Sequence, residues 1–369
     1  MYEKQQAPVS LLPCFISISV IMSVCFPLNV ECGCSRSPVI FNMGDSNSDT
    51  GGFSSGLGII MPPPEGRTFF HKFAGRLCDG RLIIDFLCEN LTTNYLTPYL
   101  ESLGPNFSNG ANFAISGSST LPKYDSFNLG VQGRQLFRFQ TRSIELTSKG
   151  FKGLIGKEDF KNALYMIDIG QNDLVGSFSY LPYPQVIEKI PTFIAEIKFA
   201  ILSIYQLGGK KFWVHNTGPF GCLPQQLATT SKNASDIDQY GCLQSRNDGA
   251  REFNKQLKAL CEELRDEIKD ATIVYVDIFA IKYDLIANST LYGFENPLMA
   301  CCGYGGPPYN FDPKFGCTAP GSNACEEGSK YISWDGVHYT EAANAFVASK
   351  IVSTDYSSPP LKFDFFCKT

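Results

Sequence analysis

An α/β fold built on a central parallel sheet is what this sequence predicts, and three observations predict it. Four short apolar runs show no polar alternation, the pattern of strands buried on both faces. Helical periodicity fills the stretches between them. Apolar types make up 44% of the 369 residues and charged types 18%, with 29 Phe and 17 Tyr, a composition that excludes disorder and suits one large core.

The elements follow in order. Val39-Ile40-Phe41 is the first strand, and the pattern from Arg81 to Asn90 predicts a helix. Gly156 with the following Lys-Glu-Asp leads toward a strand from Leu164 to Ile169. A long helix over Tyr183 to Leu207 stops at Gly208-Gly209, and the strand Phe212-Trp213-Val214 comes next. Helix Asn247 to Ile268, strand Thr272 to Ile278 and helix Glu341 to Val352 complete the alternation. Pro62-Pro63-Pro64 and the tail Ser357 to Pro360 read as surface loop and terminal segment. A length of 369 divided by roughly 150 residues per domain suggests two domains. No linker, repeat or charge block divides the chain, so residues 33–369 are expected to form a single domain.

Residues 1–32 read as a secretory signal peptide. Lys4 precedes an apolar stretch from Leu11 to Phe26, and Val30 and Cys32 stand three and one positions before Gly33. A membrane anchor is the rival, but the stretch is broken by Pro13 and falls short of the roughly 20 residues a spanning helix needs. No later run reaches that length, so no transmembrane segment is expected in the mature chain. Sequons at Asn90, Asn106, Asn233 and Asn288 are candidate glycosylation sites in the secretory route. Eleven cysteines follow residue 32, which suits disulfides, with Cys222–Cys242 and pairings among Cys301, Cys302, Cys317 and Cys325 as local bridges. The odd count implies one free thiol, or cleavage just before Cys32. Adjacent Cys301-Cys302 is poor geometry for zinc, so no metal is expected. A net charge of -5 argues against a nucleic-acid partner.

In an open parallel sheet, ligands bind beyond the carboxyl ends of the strands. Two small polar strings lie there: Gly44 to Gly52 after the first strand and Gly170-Gln171-Asn172-Asp173 after the second. A serine hydroxyl needs an imidazole to take its proton and a carboxylate to orient that imidazole. His338 sits three residues after Asp335 on one loop, although the same residues would also suit a surface turn capped by Thr340. His71 and His215 are its competitors; a structural role is expected for His215, which has no carboxylate near it in sequence. Ser46, two residues past Gly44, has the placement a nucleophile needs. Gly52-Phe53-Ser54-Ser55-Gly56 matches a nucleophile-elbow pattern but lacks the preceding strand, so Ser54 is set aside. Asn172 and Gly117 are candidate donors for an oxyanion hole, where preplaced N–H groups stabilise the tetrahedral intermediate.

Together these strings resemble the plant GDSL esterase/lipase family of the SGNH hydrolases. The similar blocks are Phe41 to Gly52, Gly110-Ala111-Asn112-Phe113-Ala114 through Gly117, Gly170 to Asp173, and Asp335-Gly336-Val337-His338. Asp79-Gly80-Arg81-Leu82-Ile83-Ile84-Asp85-Phe86 and Cys301-Cys302-Gly303-Tyr304-Gly305-Gly306 extend the likeness from Pro38 to about Val352. Asn47 stands in place of the Leu that gives the family its name, and Met43 where Phe is common; both bear on pocket shape alone. The resemblance implies a flavodoxin-like three-layer α/β/α domain and a secreted carboxylic-ester hydrolase working through an acyl-enzyme. It makes Ser46, His338 and Asp335 the catalytic triad. It assigns the Ser46 N–H, the Gly117 N–H and the Asn172 side chain to the oxyanion hole, with no cofactor. Substrates expected are short acyl esters, such as acetylated wall glycans or small metabolites, or lipid esters. An acyltransferase using the same triad, and an inactive glycan-binding glycoprotein, are the alternatives. An unperturbed imidazole would place the loss of activity on acidification near pH ~6.5.

Overall fold

The computed structural model describes residues 34–122, 127–231 and 233–368. The expected signal peptide, residues 1–32, lies outside these described residues. Five parallel strands, β1 (Ile40–Gly44), β2 (Gly110–Asn112), β3 (Leu164–Asp168), β4 (Lys211–His215) and β5 (Thr272–Val276), form the sheet in the order β2-β1-β3-β4-β5. Ser357–Ser358 pairs antiparallel with β5 and closes that edge. The tail expected to be a terminal loop is thus partly sheet; two serines carry no apolar signal, and backbone pairing together with the Arg265 guanidinium on the Ser358 carbonyl holds them.

Ten α-helices lie among the described residues: α1 (Gly52–Leu57), α2 (Ile83–Asn90), α3 (Leu129–Ser148), α4 (Lys157–Asn162), α5 (Gln171–Phe178), α6 (Tyr183–Gln206), α7 (Pro224–Thr229), α8 (Gln244–Glu267), α9 (Ile278–Ala287) and α10 (Glu341–Val352). Helices α3, α6 and α8 pack together in one layer, and α2, α9 and α10 in the other. The sheet lies between, so its strands are buried on both faces, as their unbroken apolar pattern requires.

The sequence pattern did not predict α1, α3, α4, α5, α7, α9 or β2, and two of these show why. In α3 the buried face includes polar Gln132 and Ser143 while Phe137 is exposed, which blurs the 3.6-residue period. In β2 the strand is Gly-Ala-Asn, with no apolar run at all. The buried Asn112 side chain is satisfied instead by hydrogen bonds: its amide donates to the Ser48 carbonyl (2.7 Å) and Thr50 Oγ1 (2.9 Å), and its oxygen accepts from Asn42 (2.9 Å) and the Ala114 N–H (3.0 Å).

The core centres on Phe41, stacked on Phe160 at 5.1 Å and edge-on to Phe139 at 5.8 Å. Among the described residues four disulfides tie loops and ends: Cys34–Cys367, Cys222–Cys242, Cys301–Cys325 and Cys302–Cys317. Among the described residues three cysteines, Cys78, Cys88 and Cys261, remain free and buried, rather than the single thiol that an odd count suggested. They pack as small apolar groups inside the fold.

Candidate active site

The order 2-1-3-4-5 reverses direction between β1 and β3, so the chain leaves the carboxyl ends of those two strands toward opposite helical layers and opens a crevice between them. Gly44, Asp168 and His215 sit side by side in register at that edge. Gly44 must be small, because a Cβ there would lie 2.5 Å from the Asp168 carbonyl oxygen and 2.6 Å from Ser48 Oγ. Its N–H donates to Gln132 Oε1 (2.9 Å) and its carbonyl accepts from Gln132 Nε2 (2.8 Å), so one buried amide of α3 fixes the end of β1.

Ser46 follows directly and is buried. The turn that holds it is set by its neighbours. The Asp45 Oδ1 accepts the Asn47 N–H at 2.9 Å, and the Ser48 N–H donates to the Asp45 carbonyl at 3.2 Å. Asp49 then binds two blocks together: its carboxylate accepts the N–H groups of Gly51, Gly52 and Phe53 at the start of α1, and the Ser116 N–H at 2.8 Å. Gly117 comes next, in the left-handed region at φ 82°.

Asn172, in the first turn of α5, joins the third block. Its Nδ2 donates to the Ser118 carbonyl at 2.9 Å and, at a longer 3.4 Å, to Asp45 Oδ2. The adjoining Asp173 is buried and accepts the Thr120 N–H and Oγ1, which fixes α5 against the Gly117 loop. Asn172 and Gly117 therefore meet at Ser118, beside the turn that carries Ser46.

The fourth block arrives from the far end of the chain. His338 Nδ1 is 2.5 Å from Asp335 Oδ2, and Asp335 Oδ1 accepts the N–H groups of Val337 (2.9 Å) and His338 (2.7 Å). Gly336 between them has φ 96°, and a Cβ there would lie 2.4 Å from the Phe311 ring. Thr340 caps α10 by accepting the Ala343 N–H, so the loop is both a helix start and a His–Asp pair. Burial alone would lower the proton affinity of His338, but the Asp335 carboxylate, with Glu65 and Asp45 adding to it, holds its pKa above the ordinary 6.5. Asp335 is conversely held low: burial raises it, and the imidazole charge and three hydrogen bonds outweigh that.

The influence of Asp45 on His338 is reciprocal and draws the blocks together. Burial and then the neighbouring Asp168 raise the Asp45 pKa to about 7, while hydrogen bonds from Asn47 and the charge of His338 pull it down. The imidazole is thus within electrostatic reach of the residue that precedes Ser46.

Further buried groups lie around the site. Glu65 accepts the Trp334 indole N–H at 3.1 Å, and burial followed by the Asp335 charge raises its pKa to about 8. Lys282 in α9 is buried, with its ammonium 4.3 Å above the Tyr339 ring; burial lowers its pKa against the opposing pull of Asp168 and Asp45. A lysine after the apolar run Ile278-Phe279-Ala280-Ile281 is the mark that would have found it. His215 is buried, and its Nδ1 is 3.8 Å from Asp168 Oδ2, a carboxylate supplied by the next strand and invisible in local sequence. His71 lies on an exposed loop, and Ser54 Oγ is spent on the Ile59 carbonyl.

The GDSL-like lipase/acylhydrolase family model matches residues 40–351, a span that contains all four blocks. This chain belongs to the GDSL esterase/lipase family. It is 58% identical over 340 residues to the GDSL esterase/lipase LIP-4 of Arabidopsis thaliana, covering 91% of each chain. To the GDSL esterase/lipase At1g09390 of the same plant it is 57% identical over 345 residues, covering 92% of this chain and 93% of the relative. Among solved structures, the acetylxylan esterase Axe2 of Geobacillus stearothermophilus has a TM-score of 0.37 at 15% identity, over 87% of this chain and 94% of that one. Ester hydrolysis is the activity of the family, and the serine-rich turn, the His–Asp pair and the amide donors of this GDSL chain are groups that chemistry uses. The buried thiols are poor competitors for the nucleophile: burial raises all three, Cys261 to about 12.

Proposed function

We propose that Ser46 attacks the ester carbonyl and that His338 and Asp335 complete its triad. The observation that carries this reading is the 2.5 Å His338–Asp335 contact on a loop whose imidazole senses Asp45, the neighbour of Ser46. His338 takes the Ser46 proton through Nε2, since Nδ1 faces Asp335. It then gives that proton to the leaving alcohol and activates water against the acyl-enzyme. The N–H groups of Ser46 and Gly117 and the Asn172 amide receive the oxyanion, the long 3.4 Å contact of Asn172 to Asp45 yielding to it. No step requires a cofactor.

The preferred substrates are short acyl esters of polar, hydroxylated alcohols, such as acetyl groups on wall glycans. A cavity of about 700 Å³ supports this choice. It is lined by Ser179, Gln225, Gln226, Thr229 and Thr230 as well as Phe178 and Phe311, a mixture suited to sugar hydroxyls rather than to a long acyl chain. The Gln225 N–H donates to the Gly336 carbonyl at 3.0 Å, so the cavity shares a wall with the His338 loop. The protein is secreted: the leader and the four sequons support this, and Asn90, Asn106, Asn233 and Asn288 are all exposed, as glycan acceptors must be. Among the described residues no helix is long and apolar enough to cross a membrane.

A chain-length series of 4-nitrophenyl esters run beside acetylated xylan tests the substrate reading. Turnover should be highest for acetate, fall with acyl length, and be lost in Ser46→Ala by about 10⁶-fold. Preference for long acyl chains would contradict the substrate class, and unchanged turnover in Ser46→Ala would contradict the nucleophile. Acyl transfer to an added alcohol in preference to water would favour the acyltransferase.

A further inference from the structure

Among the described residues, the same cavity holds a cation with no carboxylate partner. Arg246, the third residue of α8, lines it with its guanidinium carbon 4.3 Å from the centroid of the Phe178 ring. Its Nε is closed off from solvent and has no acceptor, and no carboxylate stands within ion-pair distance of it among the described residues. The carboxylate that acts on it from a distance, Asp236, is already engaged: Oδ1 accepts the Ser245 N–H and Oδ2 the Ser245 hydroxyl, both at 2.8 Å. An arginine stays charged at every working pH and presents a fork of donors matched to a carboxylate. Gln225 and Thr229 beside it are neutral and supply hydrogen bonds without neutralising it.

The position of this charge relative to the chemistry follows from proton transfer. The leaving oxygen must reach the imidazole that protonates it, so the alcohol half of the ester extends over the loop carrying His338. Phe311 packs on Gly336 of that loop and also lines the cavity. The cavity is therefore on the alcohol side.

We propose that this cavity is the alcohol subsite and that Arg246 selects esters whose alcohol carries a carboxylate, an O-acetylated sugar acid being the fitting class. The inference rests on the ester-hydrolase reading above. The test compares, on the full chain, an acetylated methyl uronoside, the matching acetylated neutral methyl glycoside, and phenyl acetate. The uronoside should exceed the neutral sugar in kcat/KM by about tenfold or more, a difference of about 1.4 kcal/mol. Arg246→Gln should erase that ratio through KM, and Arg246→Lys should keep part of it. Should Arg246→Gln fail to fold, the native chain still decides: uronoside KM should rise as salt goes from about 20 to about 500 mM while the neutral sugar's does not. Equal kcat/KM for the two sugars, or an Arg246→Gln effect that leaves their ratio intact, overturns the proposal. Preference for a half-ester with the carboxylate in its acyl part overturns the alcohol-side placement. Failure of the native chain on phenyl acetate as well overturns the ester-hydrolase reading itself.

Discussion

At the scale of single residues, the shifted groups set the pH response. Catalysis needs a neutral His338, and its pKa is raised above 6.5, so activity is lost as pH falls through a value above 6.5. An unperturbed imidazole would have put that limb near pH ~6.5. The acid limb of kcat/KM against 4-nitrophenyl acetate should therefore have its midpoint above that value, and equal activity at about pH 4 and about pH 8 would contradict a neutral-imidazole requirement. Asp335→Asn removes the main charge that raises His338, so the limb should move to lower pH while kcat falls by about 10⁴-fold. The same linkage acts on stability: a raised histidine favours the fold fully below its unfolded pKa, and that contribution fades as pH rises through the folded value. Glu65 holds its pair by a different route. Glu65→Ala leaves the buried Trp334 indole without an acceptor and should cost about 1–3 kcal/mol in urea unfolding, whereas Glu65→Gln keeps an acceptor and should restore most of it.

At the scale of elements, the turns and loops are held by contacts that local sequence only partly reveals. The last helix, α10, is bounded by Glu341 and Val352 as the sequence predicts, because Thr340 is a good cap. The α6 and α8 boundaries fall within three residues of expectation because each helix buries an apolar stripe at helical spacing, without any side-chain cap. By contrast α3 and β2 bury Gln132 and Asn112, whose side chains serve the sheet edge rather than the core, and a pattern read from hydrophobicity passes over them. The candidate site was legible where its groups lie on short strings, as with Asp335 and His338. It was illegible where partners come from distant elements, as with Glu65 to Trp334, Asp168 to His215, and Arg246 in its cavity. The His338 loop itself is predicted to be rigid in one respect: Gly336→Ala should cost at least about 1–2 kcal/mol for its positive φ, plus the Phe311 clash, and should lower kcat more than it raises KM. Wild-type kinetics in that variant would show that the loop tolerates a shift.

At the scale of the whole molecule, the reversal of strand order sets the edge at which residue 46 lies, and the two ends of the described chain are held together by Cys34–Cys367, with a sequence separation of 333. A bridge closing so long a loop restricts the unfolded chain strongly, and Cys34→Ser should lower unfolding stability by about 2–5 kcal/mol without abolishing turnover at 25 °C. The bridge lies by the amino end of β4, where the Lys211 ammonium donates to the Phe366 carbonyl, while His215 stands at the carboxyl end of the same strand, which is why folding and chemistry should separate in that variant. The central claim is convergence: four blocks scattered along the chain make one serine reactive. Its most direct measure is the site and rate of modification by a fluorophosphonate. The adduct should map by peptide mass to Ser46 alone, at a rate that falls with acidification along the His338 limb and collapses in His338→Ala. An adduct on Ser54, or labelling of Ser46 that is indifferent to His338, would contradict it.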